Sequence, residues 1–257
     1  MTRGAAGILL LGIFLPLALA LAAGAATGEE GGLSVYTLVL FMHQLLFVYW
    51  LGPDMGVYYL SGRITDPALS DGQRLAAAQT FVQIDLFPRI CMSLMLTVGG
   101  LLAHLLGIAH PPWQFAAIIL LGPVWLTLVL LQHFRHGAPW MPALVRFDRL
   151  LRWGVIAAII VSVLHSQLTG RLAAAPWLGA KLLGFAFLVF CGLMIRRYFG
   201  GYGAGYVALL EREPTAEENA AMQASLGQMR PWVLAIWAVL IVEAWLGVSK
   251  PGLGLAG

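Results

Sequence analysis

Five ionisable side chains lie inside long apolar runs of this 257-residue chain. They are His43, His104, His165, Lys181 and Glu243. A neutral imidazole can ligate haem iron or copper. A lysine in apolar surroundings can lose its proton, because desolvation penalises the charged form, and the neutral amine is then a ligand or a base. Each of these groups costs free energy inside a membrane, so each needs a partner or a task.

The composition excludes a water-soluble globule. Hydrophobic residues make up 60% of the chain and charged residues 11%, with a mean hydropathy of +0.83, whereas soluble domains carry about 25% charged residues. The sequence therefore predicts an integral membrane protein in a lipid bilayer, and the net charge of +3 does not point to nucleic acid. The two cysteines, Cys91 and Cys191, lie in separate apolar runs and indicate neither a disulfide framework nor a zinc site.

Seven stretches are long and apolar enough to cross a bilayer as helices, which takes about 20 residues. The sequence predicts an all-α fold, a polytopic transmembrane helical bundle with six to seven spans, as a single integral membrane domain over residues 1–257. Residues 1–26 are either a first helix or a signal peptide. The candidate spans are residues 6–26, 34–60, 84–107, 114–133, 149–168, 176–197 and 230–249.

The basic residues predict an orientation, because cytoplasmic loops collect Lys and Arg. With the N-terminus inside, all but Arg171, Lys181 and Lys250 of the fifteen fall on the cytoplasmic side. This predicts a multipass protein of the bacterial inner membrane with a cytoplasmic N-terminus, if the first helix is retained. The longest cytoplasmic loops are 61–82 and 198–229. The second contains a flexible GGYGAGY turn and a short helix that begins near Pro214-Thr215.

Each candidate site residue also has a structural interpretation. His104 and His165 lie close enough to helix ends to contact water or headgroups, and Lys181 can extend past Trp177 to the interface or pair with Glu243. His43 lies deeper, which leaves a structural hydrogen bond or a cofactor role open. The candidate metal ligands are His43, His104 and His165. Soft sulfur also suits Cu(I), although core packing is the better account of Cys91, Met92 and Met95.

Three stretches carry a family resemblance: residues 42–52 (MHQLLFVYWLG), 85–102 (DLFPRICMSLMLTVGGLL) and 176–202 (PWLGAKLLGFAFLVFCGLMIRRYFGGY). In this order they resemble helices of the HemJ-type protoporphyrinogen IX oxidases of bacterial membranes. His43 is followed by Trp50 seven residues later, and Lys181 aligns with the lysine of that family's WLHxKL pattern. Gly179 stands where the family has a His. A similar architecture and first-helix His occur in the CopD membrane proteins of copper resistance.

The resemblance implies a haem b membrane protein of redox type, in which His43 is a haem ligand and Lys181 the second essential, catalytic group. It also implies that Arg89 meets a porphyrin propionate and that Trp50 belongs to the cofactor site. Three hypotheses follow: this haem protein, with a membrane redox partner or a second copy as partner; a CopD-like copper transport or tolerance protein; and a cofactor-free structural subunit of a membrane complex.

Overall fold

The computed structural model describes residues 34–135 and 137–251, and the first predicted span, 6–26, lies outside them. The regular secondary structure of these residues is entirely helical, which confirms the predicted all-α class. The seven helices are α1 (Val35–Ile64), α2 (Asp71–Leu105), α3 (Pro112–Phe134), α4 (Met141–Thr169), α5 (Pro176–Tyr198), α6 (Gly200–Glu211) and α7 (Ala216–Ser249).

Five of these helices, α1, α2, α3, α5 and α7, are long and apolar enough to cross a membrane. They indicate a membrane protein. Helix α4, on which the predicted span 149–168 lies, has 29 residues but is not among the five. The predicted total of six to seven spans therefore stays a prediction.

The predicted loop 61–82 is wrong over most of its length, because it is helical. Helix α1 continues to Ile64, and α2 begins after a connection of residues 65–70. Ser70 and Gln73 cap the start of α2: the Ser70 amide donates to Gln73 Oε1 at 3.1 Å. Ala, Leu and Gln follow, and these residues favour helix even in a polar segment.

The predicted flexible turn GGYGAGY is also wrong, because it lies inside α6. Its glycines serve close packing against α7 rather than a turn. A Cβ on Gly201 would lie 2.6 Å from Ser225 Oγ, and a Cβ on Gly205, one turn later, would overlap Met222. Small residues four apart let two helix backbones approach closely, as in membrane helix pairs.

The helix start predicted near Pro214-Thr215 is confirmed by a capping box. Thr215 Oγ1 accepts from the Glu218 amide at 3.2 Å, while Glu218 Oε2 accepts from the Thr215 amide at 2.8 Å. The predicted short helix is not short, because α7 continues through Pro231 to Ser249. The polar first turns and the last predicted span are one helix.

The chain divides into two compact units. In the described residues, the first unit comprises residues 34–50 and 87–129, and the second comprises 51–86, 130–135 and 137–251. In the first unit, Thr97 Oγ1 donates to the Ile118 carbonyl at 2.6 Å and accepts from the Gly122 amide at 2.9 Å. A threonine of α2 thus enters the backbone ladder of α3 beside Pro123.

In the second unit, the buried Arg74 of α2 connects the end of α1 to α7. Arg74 Nε donates to the Ile64 carbonyl at 2.8 Å, and its Nη2 donates to Asn219 Oδ1 at 2.6 Å. Gln223 Nε2 donates to the Thr65 carbonyl at 3.1 Å. These bonds satisfy carbonyl groups where α1 ends, which its own helix leaves without a partner.

Candidate functional site

Lys181 and Glu243 form a partly buried charge pair between α5 and α7. Lys181 Nζ lies 3.3 Å from Glu243 Oε2 and donates to the Glu243 backbone carbonyl at 2.7 Å. The two side chains are 17% and 13% exposed. Lys181 therefore pairs with Glu243, which is one of its two structural interpretations, and does not extend past Trp177 to the interface.

Two glycines make room for this pair, one on each helix. A Cβ on Gly184 of α5 would overlap the Glu243 carboxylate, and a Cβ on Gly247 of α7 would lie 3.3 Å from Lys181 Nζ. Each charged group therefore lies over a glycine of the opposite helix. The pocket is shaped for the pair, since an ion pair away from water needs close geometry to offset the loss of hydration.

His43 belongs to the first unit and lies against a glycine of α2. A Cβ on Gly99 would lie 3.3 Å from His43 Cε1 and 3.9 Å from its Nδ1. The imidazole is half-buried, and Trp50, two turns later on α1, is buried. Gly99 thus lets the ring lie against the backbone of the neighbouring helix, which fixes its position.

The remaining predicted site residues lie apart along the chain. Arg89 is an exposed residue of α2, one turn after Asp85. The His104 ring lies 4.3 Å from Phe115 in the first unit. His165 is exposed on α4 in the second unit. Within residues 34–135 and 137–251, no three His, Cys, Asp or Glu side chains come together as a possible metal site.

A charge cluster that the sequence analysis did not identify connects α4 and α5. Asp148 Oδ2 accepts from Arg152 Nε at 2.9 Å and from Arg196 Nη1 at 2.7 Å. Asp148 and Arg152 are fully buried, with 0% and 1% exposure. The spacing of Asp148 and Arg152 by four residues was a readable signal, whereas Arg196 lies too far along the chain for any spacing rule.

A second missed cluster lies between α1 and α7. Trp237 Nε1 donates to Asp54 Oδ2 at 2.7 Å, and the Trp237 ring packs against Tyr58 at 5.2 Å between centroids. The Arg230 guanidinium lies over the Tyr58 ring, 5.0 Å from its centroid. A Cβ on Gly62 would lie 2.9 Å from Arg230 Nη2. The cluster gives Asp54 a hydrogen-bond partner inside an apolar helix pair.

Comparison with protein-family models, with curated proteins and with solved structures finds no match to this chain. The class of protein therefore rests on the helices themselves. They indicate a helical membrane protein with polar pairs inside its apolar helices.

Proposed function

We propose that the chain is a multipass membrane protein of redox type that binds haem b through His43. The observation that carries the proposal is the position of His43, an imidazole held against Gly99 on an apolar helix pair of the first unit. Trp50 and Arg89 belong to the same unit. The resemblance to HemJ-type protoporphyrinogen IX oxidases supplies the oxidoreductase activity, which would be oxidation of a porphyrinogen.

The residues of the first unit fit such a group on one side. His43 offers a nitrogen ligand whose ring is fixed by packing, and the stacked rings of Tyr49 and Phe87, 6.5 Å between centroids, offer aromatic surface. Arg89 would neutralise a propionate. When bound, haem would supply one-electron chemistry, and the protein would supply the ligand, the apolar surroundings and the counter-charge.

In this proposal Lys181 is not an amine ligand. Its ammonium group is committed to the Glu243 carboxylate and carbonyl. We therefore assign it no ligand role and no catalytic step. Lys181 and Glu243 instead hold α5 to α7.

The proposal places the protein in a bacterial inner membrane with α4 as a sixth span and a cytoplasmic N-terminus. Arg63, Arg146 and Arg197 lie near helix ends that this orientation puts on the cytoplasmic side. The cytoplasmic N-terminus requires that residues 1–26, which lie outside the described residues, are a retained first helix and not a signal peptide.

The test is the absorbance spectrum of the protein purified in mild detergent, oxidised and then reduced with dithionite. We expect a Soret band that shifts on reduction and is lost in His43→Ala. His133→Ala is the matched control, because it removes an imidazole from the second unit and should keep the band. Lys181→Met should also keep it, since Lys181 is not a ligand in this proposal.

A colourless protein from haem-replete cells, or an unchanged spectrum in a folded His43→Ala variant, would overturn the proposal. Metal analysis of the same sample separates the alternatives. Bound copper would favour the CopD-like transport or tolerance protein. Neither haem nor copper, together with co-purification of other membrane subunits, would favour the structural subunit.

A further inference from the structure

Along one face of α4, the exposed side chains change from basic to aromatic to aliphatic. Arg146, Arg149 and Trp153 are exposed and lie at positions i, i+3 and i+7, on one side of the helix. Ile160 and Leu164 continue the same face and are 41% and 59% exposed. An exposed face that runs from arginine through tryptophan to aliphatic residues matches the order of headgroup, interface and acyl chain in a bilayer.

Among the described residues, the exposed arginines of α4 have no acidic partner. Asp148 is the only acidic residue between Asp85 and Glu211, and Arg152 and Arg196 both bind it. No ion pair or hydrogen bond joins the guanidinium groups of Arg146 and Arg149 to another residue of the described chain.

The Asp148 cluster adds a further arginine to the same end of the helix pair. Its contact with Arg196 brings the end of α5 beside the beginning of α4. Arg197, the next residue of α5, is also exposed and also has no partner in the part of the chain that the structure describes. Three exposed cations, Arg146, Arg149 and Arg197, therefore belong to one end of this helix pair, and the one acid nearby is already neutralised.

We infer that Arg146, Arg149 and Arg197 form a binding surface for the headgroup of an anionic phospholipid. The surplus of positive charge selects an anionic over a zwitterionic headgroup, while Trp153 and the aliphatic face of α4 pack against the glycerol and acyl chains. Arginine suits this task because its planar guanidinium donates two parallel hydrogen bonds to phosphate oxygens. This inference does not rest on the proposed haem.

Native mass spectrometry of the full chain in detergent, titrated with phosphatidylglycerol or with phosphatidylcholine, tests it. We expect phosphatidylglycerol to bind more tightly than phosphatidylcholine. Each Arg→Gln change should lower the affinity for phosphatidylglycerol about fivefold, which is the effect of removing one basic residue near an anionic surface. The affinity of R146Q/R149Q for phosphatidylglycerol should then be roughly 25-fold lower than that of the parent. R212Q is the matched control, because Arg212 is exposed but already bound to Glu218 at 2.6 Å.

Inorganic phosphate in excess should leave the bound phosphatidylglycerol in place, and displacement by it would mean that the site takes a free anion instead. Equal affinity for the two lipids would overturn the inference. So would a folded R146Q/R149Q variant that binds phosphatidylglycerol as tightly as the parent. If the double variant does not fold, R149Q alone is titrated, and an affinity for phosphatidylglycerol equal to that of the parent would overturn the inference.

Discussion

The charge pair between α5 and α7 gives the sharpest prediction, through a double-mutant cycle. Lys181→Met and Glu243→Met each remove one charge and keep a side chain of similar length. Each single variant leaves the other charge partly buried and without its partner, beside the glycine of the opposite helix that makes room for it. The double variant leaves no charge in the pocket.

The expected magnitudes follow from the burial of the pair. Breaking a buried pair by removing one partner costs about 3–5 kcal/mol, because an uncompensated charge remains. The two side chains keep 17% and 13% exposure, so we expect the lower end, about 3 kcal/mol, for each single variant. Replacing both charges by apolar groups is often neutral, so the double variant should lie within about 1 kcal/mol of the parent.

The assay is reversible unfolding by SDS in mixed micelles, followed by loss of helical circular dichroism. Glu213→Met is the control, since this acid lies in the exposed connection before α7. If the double variant loses as much stability as the two single variants added together, the charges are not coupled. A Glu243→Met variant as stable as the parent would refute the stabilising role of the carboxylate.

Three further predictions concern packing, capping and a carboxyl pKa in the second unit. Gly184→Ala should destabilise by about 1–3 kcal/mol, because its Cβ would overlap the Glu243 carboxylate, whereas Gly154→Ala meets nothing within 4 Å and should cost no stability; the same unfolding assay decides, and equal costs would contradict the prediction. Thr215→Ala should cost about 1 kcal/mol by removing the cap of α7. Hydrogen bonds from Arg212 lower the pKa of Glu218, in the polar first turn before the span predicted at 230–249, to about 2. The cap contribution of Glu218 is therefore fully present above pH 4.5 and lost as pH falls toward 2, and a carboxyl NMR titration should show its pKa return toward 4.5 in R212Q.

The sequence predicted the helical class and most of the helix positions because lipid solvation imposes long apolar runs. It also presented Lys181 with Glu243 as one of several alternatives. It could not select that alternative, since the choice depends on Gly184 and Gly247 lying opposite the charges, which is a property of how α5 packs on α7. No spacing along one helix reports a contact between residues that are 62 positions apart.

The glycine-rich stretch of α6 was misread for a related physical reason. Glycine has a low intrinsic helix propensity, so a run of glycines favours a turn when a segment is considered alone. In the folded chain, Gly201 and Gly205 leave room for Ser225 and Met222 of α7 to approach the α6 backbone closely. Tertiary packing, which a local pattern does not contain, decided the conformation.

The mean hydropathy of a helix and the polarity of its outward face can differ, and this difference bears on whether α4 crosses the membrane. Its polar residues reduce its apolar average, but several of them are satisfied within the second unit. Arg152 binds Asp148, and Arg171 donates to Ser166 Oγ at 2.9 Å and to Ser162 Oγ at 3.0 Å.

Satisfying these groups inside the protein removes most of the cost of placing them at membrane depth, because an unpaired polar group is what lipid penalises. The outward face of α4 keeps exposed Val161, Leu164 and Leu168. A helix with paired polar groups inward and aliphatic residues outward is suited to a bilayer even where its mean composition is not. Such a face supports the proposal that α4 is the sixth span, with Arg146 and Arg149 at the headgroup level that the lipid titration examines.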